Sequence, residues 1–215
     1  MAFLGKKIQD DVHKELAALT RTVHFKYFGQ EMECRFCKET RELLEEVAAL
    51  SDRIHLEVFD FIKDKETVDR LGIERIPALA VSADEDYGIR FYGIPSGYEF
   101  TSLIEAIKLV GTGKTLISDE ARKFLETLEH DVHLQVFVTP TCPYCTGSVI
   151  LAHQLAFASP RIRADMIEAT EFPQLAQKYD VMGVPRTVIN ETGFIEGAGS
   201  EPMVLAKIKE VLGTD

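Results

Sequence analysis

The 215-residue chain contains no tryptophan, only four cysteines, and no apolar run long enough to cross a bilayer. Its first stretch, MAFLGKKIQDDVHKELAALT, lacks the apolar core that a secretory signal requires. A basic excess is missing too. The net charge is −11, divided as −6 over residues 1–108 and −5 over residues 109–215, and neither half carries the cationic stripe that a phosphate backbone needs. These absences exclude nucleic acid and a membrane as expected partners and point to a cytoplasmic protein. In that reducing compartment structural disulfides are disfavoured, whereas catalytic and metal-binding thiols are expected.

With so few cysteines, their placement carries information. Cys34-Arg35-Phe36-Cys37 and Cys142-Pro143-Tyr144-Cys145 are C-x-x-C pairs set half a chain apart. Pro77 follows Cys37 at the same interval at which Pro185 follows Cys145. Laid without gaps on 142–189, residues 34–81 match at eight of 48 positions, both cysteines and the proline among them. Upstream, VHFKYF (23–28) matches VHLQVF (132–137), with one residue of slack before the cysteines. The chain therefore reads as two homologous units, 1–112 and 113–215, joined near GTGKT (111–115), whose glycines suit a turn or short linker.

Each unit gives the same order of elements. Ile8, Val12, Leu16 and Leu19 predict a helix over 6–20, and Ser118 is the expected N-cap of a helix over 118–129. A strand (23–28; 132–138) runs into each C-x-x-C. The helix that follows is amphipathic in the first unit and largely apolar over 149–157 in the second. Ile54, Leu56 and Val58, like Ile162, Ala164 and Met166, alternate as a strand. After a short helix come the Ile-Pro or Val-Pro, two strands joined as a hairpin (78–82 and 89–93; 187–190 and 193–196), and a closing helix (99–109; 202–212). The expectation is an α/β fold of two tandem units, each a central mixed sheet flanked by helices.

Two C-x-x-C pairs can ligate zinc. Zinc ribbons, however, hold their pairs about 15–20 residues apart, and here nearly half the chain separates Cys37 from Cys142. The duplication also puts the pairs in equivalent places of separate units, so no metal is expected. The redox reading has a mechanism. Pro143 suits the first position of a helix, which makes Cys142 the N-cap. There the free N–H groups and the helix dipole stabilise a thiolate, the species that attacks a disulfide. Cys145, one turn on, resolves the mixed disulfide. The spacing predicts one exposed nucleophile and one shielded thiol.

With Ile76-Pro77 and Val184-Pro185 at one offset from the cysteines, the chain resembles the thioredoxin superfamily. Cys142-Pro143-Tyr144-Cys145 is the glutaredoxin form of the motif. Two such units in one chain resemble the glutaredoxin-like protein disulfide oxidoreductases, over nearly the whole length. The resemblance implies thioredoxin-like folds and catalytic Cys34, Cys37, Cys142 and Cys145. It implies cis bonds before Pro77 and Pro185, with the backbone of Ile76 and Val184 binding an extended substrate chain. Phe36 and Tyr144 are expected as an apolar rim, and Pro143 as a supporting residue. No cofactor is implied beyond the reversible disulfides Cys34–Cys37 and Cys142–Cys145. The implied activity is thiol–disulfide exchange on disulfide-containing proteins.

Several features depart from the family pattern. No tryptophan precedes either first cysteine, and the buried acid of thioredoxins falls on Phe28 and Val136, so that proton acceptor is absent. GAGSEP (197–202) keeps the small residues of a glutathione site but lacks its aspartate, which favours a thioredoxin-reductase-like flavoprotein as reductant. Thr139–Ser148 is uncharged, whereas Glu31, Glu33, Arg35, Lys38 and Glu39 surround Cys34. The second pair is the expected main exchange centre. Glu45 and Glu46, which could supply a proton acceptor to the first site alone, are read as a solvated helix face, and His24 and His133 as structural strand residues. Two other functions fit: an electron relay to a peroxiredoxin-type peroxidase, and a client-binding scaffold with incidental thiols.

Overall fold

In the computed structural model, which describes residues 3–214, the two halves run through one order of elements. The first contains α1 (Lys6–Leu16), β1 (Val23–Gly29), α2 (Cys37–Ala48), β2 (Ile54–Asp60), α3 (Lys65–Arg70), β3 (Ala78–Ser82), β4 (Ile89–Tyr92) and α4 (Glu99–Thr112). The second contains α5 (Asp119–Glu126), β5 (Val132–Val138), α6 (Cys145–Ala158), β6 (Ile162–Glu168), α7 (Pro173–Lys178), β7 (Arg186–Ile189), β8 (Gly193–Glu196) and α8 (Glu201–Leu212).

The strands form one eight-stranded sheet in the order β2-β1-β3-β4-β6-β5-β7-β8. Each half supplies four neighbouring strands of mixed direction, and the halves join where β4 pairs in parallel with β6. Only β3 and β7 run against the rest. The C-terminal ends of β1 and β5, which lead to the two C-x-x-C pairs, therefore lie on one edge of the sheet. They are four strand spacings apart, about 19 Å.

Alternation along the strands sorts the core into two layers. Phe25 and Tyr27 of β1, Leu134 and Val136 of β5, and Met166 of β6 pack with the apolar residues of α2, α4 and α6. On the other face Phe28, Phe137 and Ile167 pack with Val68 of α3, Leu71 just after it, and Tyr179 after α7. β2 is the outermost strand, so its apolar face is only partly covered, while β6 is interior and almost wholly buried.

Local chemistry explains the departures from the sequence reading. α1 stops at Leu16 rather than 20 because the Thr20 and Arg21 amides turn away and donate to the Gly111 carbonyl. That contact also redefines GTGKT. Gly111 lies inside α4, where a side chain would strike Leu19 and Val23, and the helix ends only at Gly113, whose φ of 69° is the left-handed cap. Ser118 caps α5 as expected, its Oγ accepting from the Ala121 amide at 3.0 Å. Asn190 and Glu191, both at positive φ, turn β7 into β8.

Candidate functional site

Each cysteine pair follows the end of a strand and opens a helix. β1 reaches Cys34 through residues 30–33, and β5 reaches Cys142 through 139–141, so the one-residue slack lies in this loop. The first loop takes up its extra residue with Glu33 at a φ of 58°, the left-handed region. Both pairs are closed disulfides, with Cα–Cα separations of 5.5 Å for Cys34–Cys37 and 5.6 Å for Cys142–Cys145.

The helix starts differ from the expected N-cap arrangement. α6 begins at Cys145 with Tyr144 as N-cap, while Cys142 and Pro143 form the turn before it. That turn is closed by the Cys145 amide, which donates to the Cys142 carbonyl at 3.4 Å. Pro143 thus belongs to a preceding tight turn, because its ring fixes φ there without a donor to lose. Cys142 is also less open than its spacing suggests. It is 9% exposed, whereas Cys34 is half-buried. Cys37 and Cys145 are both buried.

The X-Pro segments stand beside the cysteine pairs. Ile76–Pro77 and Val184–Pro185 are both cis. The Val184 carbonyl lies 3.7 Å from Cys142 Sγ. Ala78, next after Pro77, pairs with Phe28 at the end of β1. Each proline carbonyl accepts from a glycine amide of the following strand end, Gly93 for Pro77 at 3.0 Å and Gly197 for Pro185 at 2.9 Å. Phe36 is half-buried under the Arg35 guanidinium, 5.1 Å from its ring centroid. Tyr144 is 73% exposed, and Met182, two residues before Val184, is 91% exposed.

The surroundings of the two pairs diverge. Beside Cys34 a cleft of about 450 Å³ opens between α2 and β2, lined by Lys38, Arg41, Val58 and Asp60 among others. Beside Cys142 the first half folds over the loop instead: the Tyr98 amide donates to the Pro140 carbonyl at 3.0 Å, and Thr146 Oγ donates to the Tyr98 carbonyl at 3.1 Å.

Two polar residues near the cysteines are missing from the sequence expectations. The register of the parallel pairs sets Tyr27 opposite Val58 and Val136 opposite Met166, so Tyr27, not Phe28, is the counterpart of Val136. Phe28 points to the opposite layer. The Tyr27 hydroxyl donates to the Cys37 carbonyl at 2.7 Å, and burial pushes its pKa up. The slack of one residue is the available signal. The second is Glu99, at the start of α4. It is buried, accepts from Ser102 Oγ, and lies 3.4 Å from the Thr146 hydroxyl, one residue after Cys145. Burial raises its pKa against the pull of these two hydroxyls. Val136 leaves the strand position without an acid, as expected; a carboxyl near the second motif is supplied instead by the other half, and no local pattern in the sequence marks it.

The remaining candidates are structural. Glu45 pairs with Arg41 at 2.7 Å, and Glu46 accepts from the Phe3 and Leu4 amides, as Gln154 does from the Leu116 amide. His24 stacks on His55, and His133 bonds to the buried Asp165 at 2.7 Å. Burial alone would raise the Asp165 pKa, but His133 and Arg163 together pull it down to about 2. In GAGSEP, Ser200 is the N-cap position of α8 and Glu201 accepts from the Ser118 amide, tying α8 to the start of α5.

A strand leading to a C-x-x-C at a helix start, faced by an X-Pro, occurs twice on one sheet edge and defines a pair of dithiol–disulfide redox centres. The thioredoxin domain family matches residues 132–211. A protein disulfide oxidoreductase from Aeropyrum pernix superposes with a TM-score of 0.91 at 27% identity, covering 98% of this chain and 94% of that one. A domain of alkylhydroperoxide reductase from Enterococcus faecalis gives 0.90 at 25% identity, over 96% of this chain and 100% of that one. The F component of alkyl hydroperoxide reductase from Escherichia coli is 30% identical over 79% of this chain but 31% of its own length. The chain spans about a third of the curated relatives it matches. Residues 132–211 match a thioredoxin domain, and the whole chain shares the tandem thioredoxin fold of the two superposed structures. No helix of the described residues is long and apolar enough to cross a membrane.

Proposed function

We propose that the chain is a thiol–disulfide oxidoreductase acting on protein disulfides, with one redox centre in each of the units 1–112 and 113–215. The observation that carries this reading is the Val184 carbonyl 3.7 Å from Cys142 Sγ. It is a backbone acceptor beside a reactive sulfur, suited to an extended chain carrying the disulfide to be cleaved. Ile76 and Pro77 take the same part beside Cys34. The exposed Tyr144 and Met182 offer that chain an apolar rim, to which Phe36 corresponds in the first unit.

In the reduced protein the Cys142 thiolate attacks one sulfur of the substrate, forming a mixed disulfide and releasing the other substrate sulfur as a thiolate. Cys145 loses its proton and attacks Cys142 Sγ. The intramolecular disulfide forms and the second substrate thiolate leaves, so two electrons have passed to the substrate. Glu99 is the group able to receive the Cys145 proton, because it is a buried carboxylate beside Thr146, that cysteine's neighbour. Cys34 and Cys37 play the corresponding parts in the first unit. A thioredoxin-reductase-like flavoprotein is the proposed source of electrons, and the cytoplasm, where such thiols stay reduced, the proposed compartment. No cofactor beyond the two disulfides is needed for this chemistry.

A second reading follows from the likeness to the F component of alkyl hydroperoxide reductase: a dithiol relay feeding a peroxiredoxin-type peroxidase. Reduction of insulin by dithiothreitol, compared for the parent, Cys34→Ser/Cys37→Ser and Cys142→Ser/Cys145→Ser proteins, tests the first reading. The expected result is loss of most activity on removal of the second pair and a smaller loss on removal of the first. Insulin left untouched by all three, together with electron transfer to a peroxidase, would replace it by the second.

A further inference from the structure

Glu171 lies in the loop after β6 in the second unit, yet its carboxyl rests against the first. Oε1 accepts from the Ile94 amide at 2.7 Å, and the carboxyl packs over Gly93, where a side chain would collide with it. Gly93 is itself the residue whose amide donates to the Pro77 carbonyl at 3.0 Å. A two-bond bridge therefore runs from a carboxylate of the second unit to the proline segment of the first site. The described residues show no equivalent at the second site. Gly197 repeats the bond to Pro185, but among the described residues no side chain accepts from the Ala198 amide. In the repeat the counterpart of Glu171 is Lys63, so the carboxylate is a property of one copy only.

Glu171 Oε2 is enclosed and has no hydrogen-bond partner. The charged and titratable groups facing the carboxyl are Glu168 at the end of β6, Glu39 on α2, and Tyr27 on β1 with Arg41 behind it. Two of these are anionic, and no cation bonds to the carboxyl. Burial, with the smaller push of Glu168 and Glu39 and against the Ile94 amide, raises its pKa to about 7.

We propose that Glu171 is a positioning residue of the first dithiol, its carboxylate fixing the Gly93–Ile94 segment and, through the Pro77 carbonyl, the Ile76–Pro77 backbone against which a substrate chain rests. The inference depends on the reading that Ile76–Pro77 lines a substrate site. The ionised carboxylate accepts from the Ile94 amide more strongly than the neutral acid does. Proton uptake near neutrality therefore loosens the brace of the first site and leaves the second as it was.

The test uses the full chain carrying Cys142→Ser/Cys145→Ser, so that the first dithiol alone reports. Two quantities are followed across neutral pH: the rate at which iodoacetamide alkylates reduced Cys34, and KM and kcat for a disulfide-linked peptide with dithiothreitol as reductant. The parent is expected to show, besides the titration of Cys34, an inflection near pH 7. Glu171→Gln keeps an oxygen for the Ile94 amide but cannot ionise, and should erase that inflection. Glu171→Asp should retain a proton-linked inflection, and Glu171→Ala should raise KM several-fold with little change in kcat. In the Cys34→Ser/Cys37→Ser chain the same substitutions should leave the second dithiol's profile in place, which also reports an intact fold. Superimposable profiles for the parent and Glu171→Gln, or equal shifts at both dithiols, would overturn the proposal. If the first dithiol reduces no peptide but its alkylation still shows the Glu171-dependent inflection, the substrate reading of that site fails and the brace stands.

Discussion

Val58 and Met166 occupy one position of the repeat, yet Val58 is 45% exposed and Met166 is fully buried. The cause lies outside either half. β2 ends the sheet, whereas β6 is covered along its edge by β4 of the other half. The helices differ in the same way. α2 has one apolar stripe, Leu43, Leu44 and Val47, under a charged face, while α6 is apolar almost all round because α4 packs across it. A duplicated unit thus acquires two chemistries from two sets of neighbours.

Substitutions at matched positions sharpen this contrast. Met166→Ala should cost about 2–5 kcal/mol by leaving a cavity in the shared sheet, read from urea denaturation midpoints. A cost as small as that of Val58→Ala would refute the shared core. Next comes Glu99→Gln in the Cys34→Ser/Cys37→Ser chain, expected to slow insulin reduction roughly a hundredfold. An unchanged rate would remove Glu99 from the chemistry of the second site.

His153 comes third. It replaces the exposed Glu45 of the first copy, but here the ring is fully buried against Phe91, and neither nitrogen makes a hydrogen bond of ordinary geometry. Burial pulls its pKa down to about 4, outweighing the nearby Arg90 backbone and Asp165, which act the other way. The unfolded chain then binds a proton below about pH 6.5 that the folded chain refuses until about 4. The contribution of neutral His153 is therefore complete above the unfolded value and is lost as pH falls. Between pH 8 and 5 that loss is about 2 kcal/mol, and His153→Leu should lack it in denaturation curves taken at both pH values. Curves for the two proteins that fall in parallel would rule out the buried neutral ring. The smallest effect is expected for Val58→Ala itself, within about 0.5 kcal/mol.

Much of this molecule is legible in its sequence. The cysteine spacing and the matched prolines mark both redox centres and the duplicated fold, because these features depend on short stretches with fixed geometry. Ser118, the hairpins and the alternating strands follow for the same reason. What cannot be read there depends on how the halves meet. The pairing of β4 with β6, the carboxyl of Glu99 behind Thr146 and the reach of Glu171 to Ile94 join residues 47 or more positions apart, with no periodicity to announce them. Tyr27 sits one residue from the expected position, since a strand and its loop share no marker of where the slack falls. Gly111 reads as part of a turn or linker because glycine serves equally for a turn and for close packing.

The parallel seam between β4 and β6 also sets the terms on which the chain could be divided. Residues 113–118, the stretch between α4 and α5, act as a short tether that keeps two complementary edges at high effective concentration. Cut there, each half would carry an unpaired strand edge, β4 in one and β6 in the other, beside apolar surface made for its mate. Such edges seek partners. Severed halves would therefore reassemble with one another or stack with their own kind.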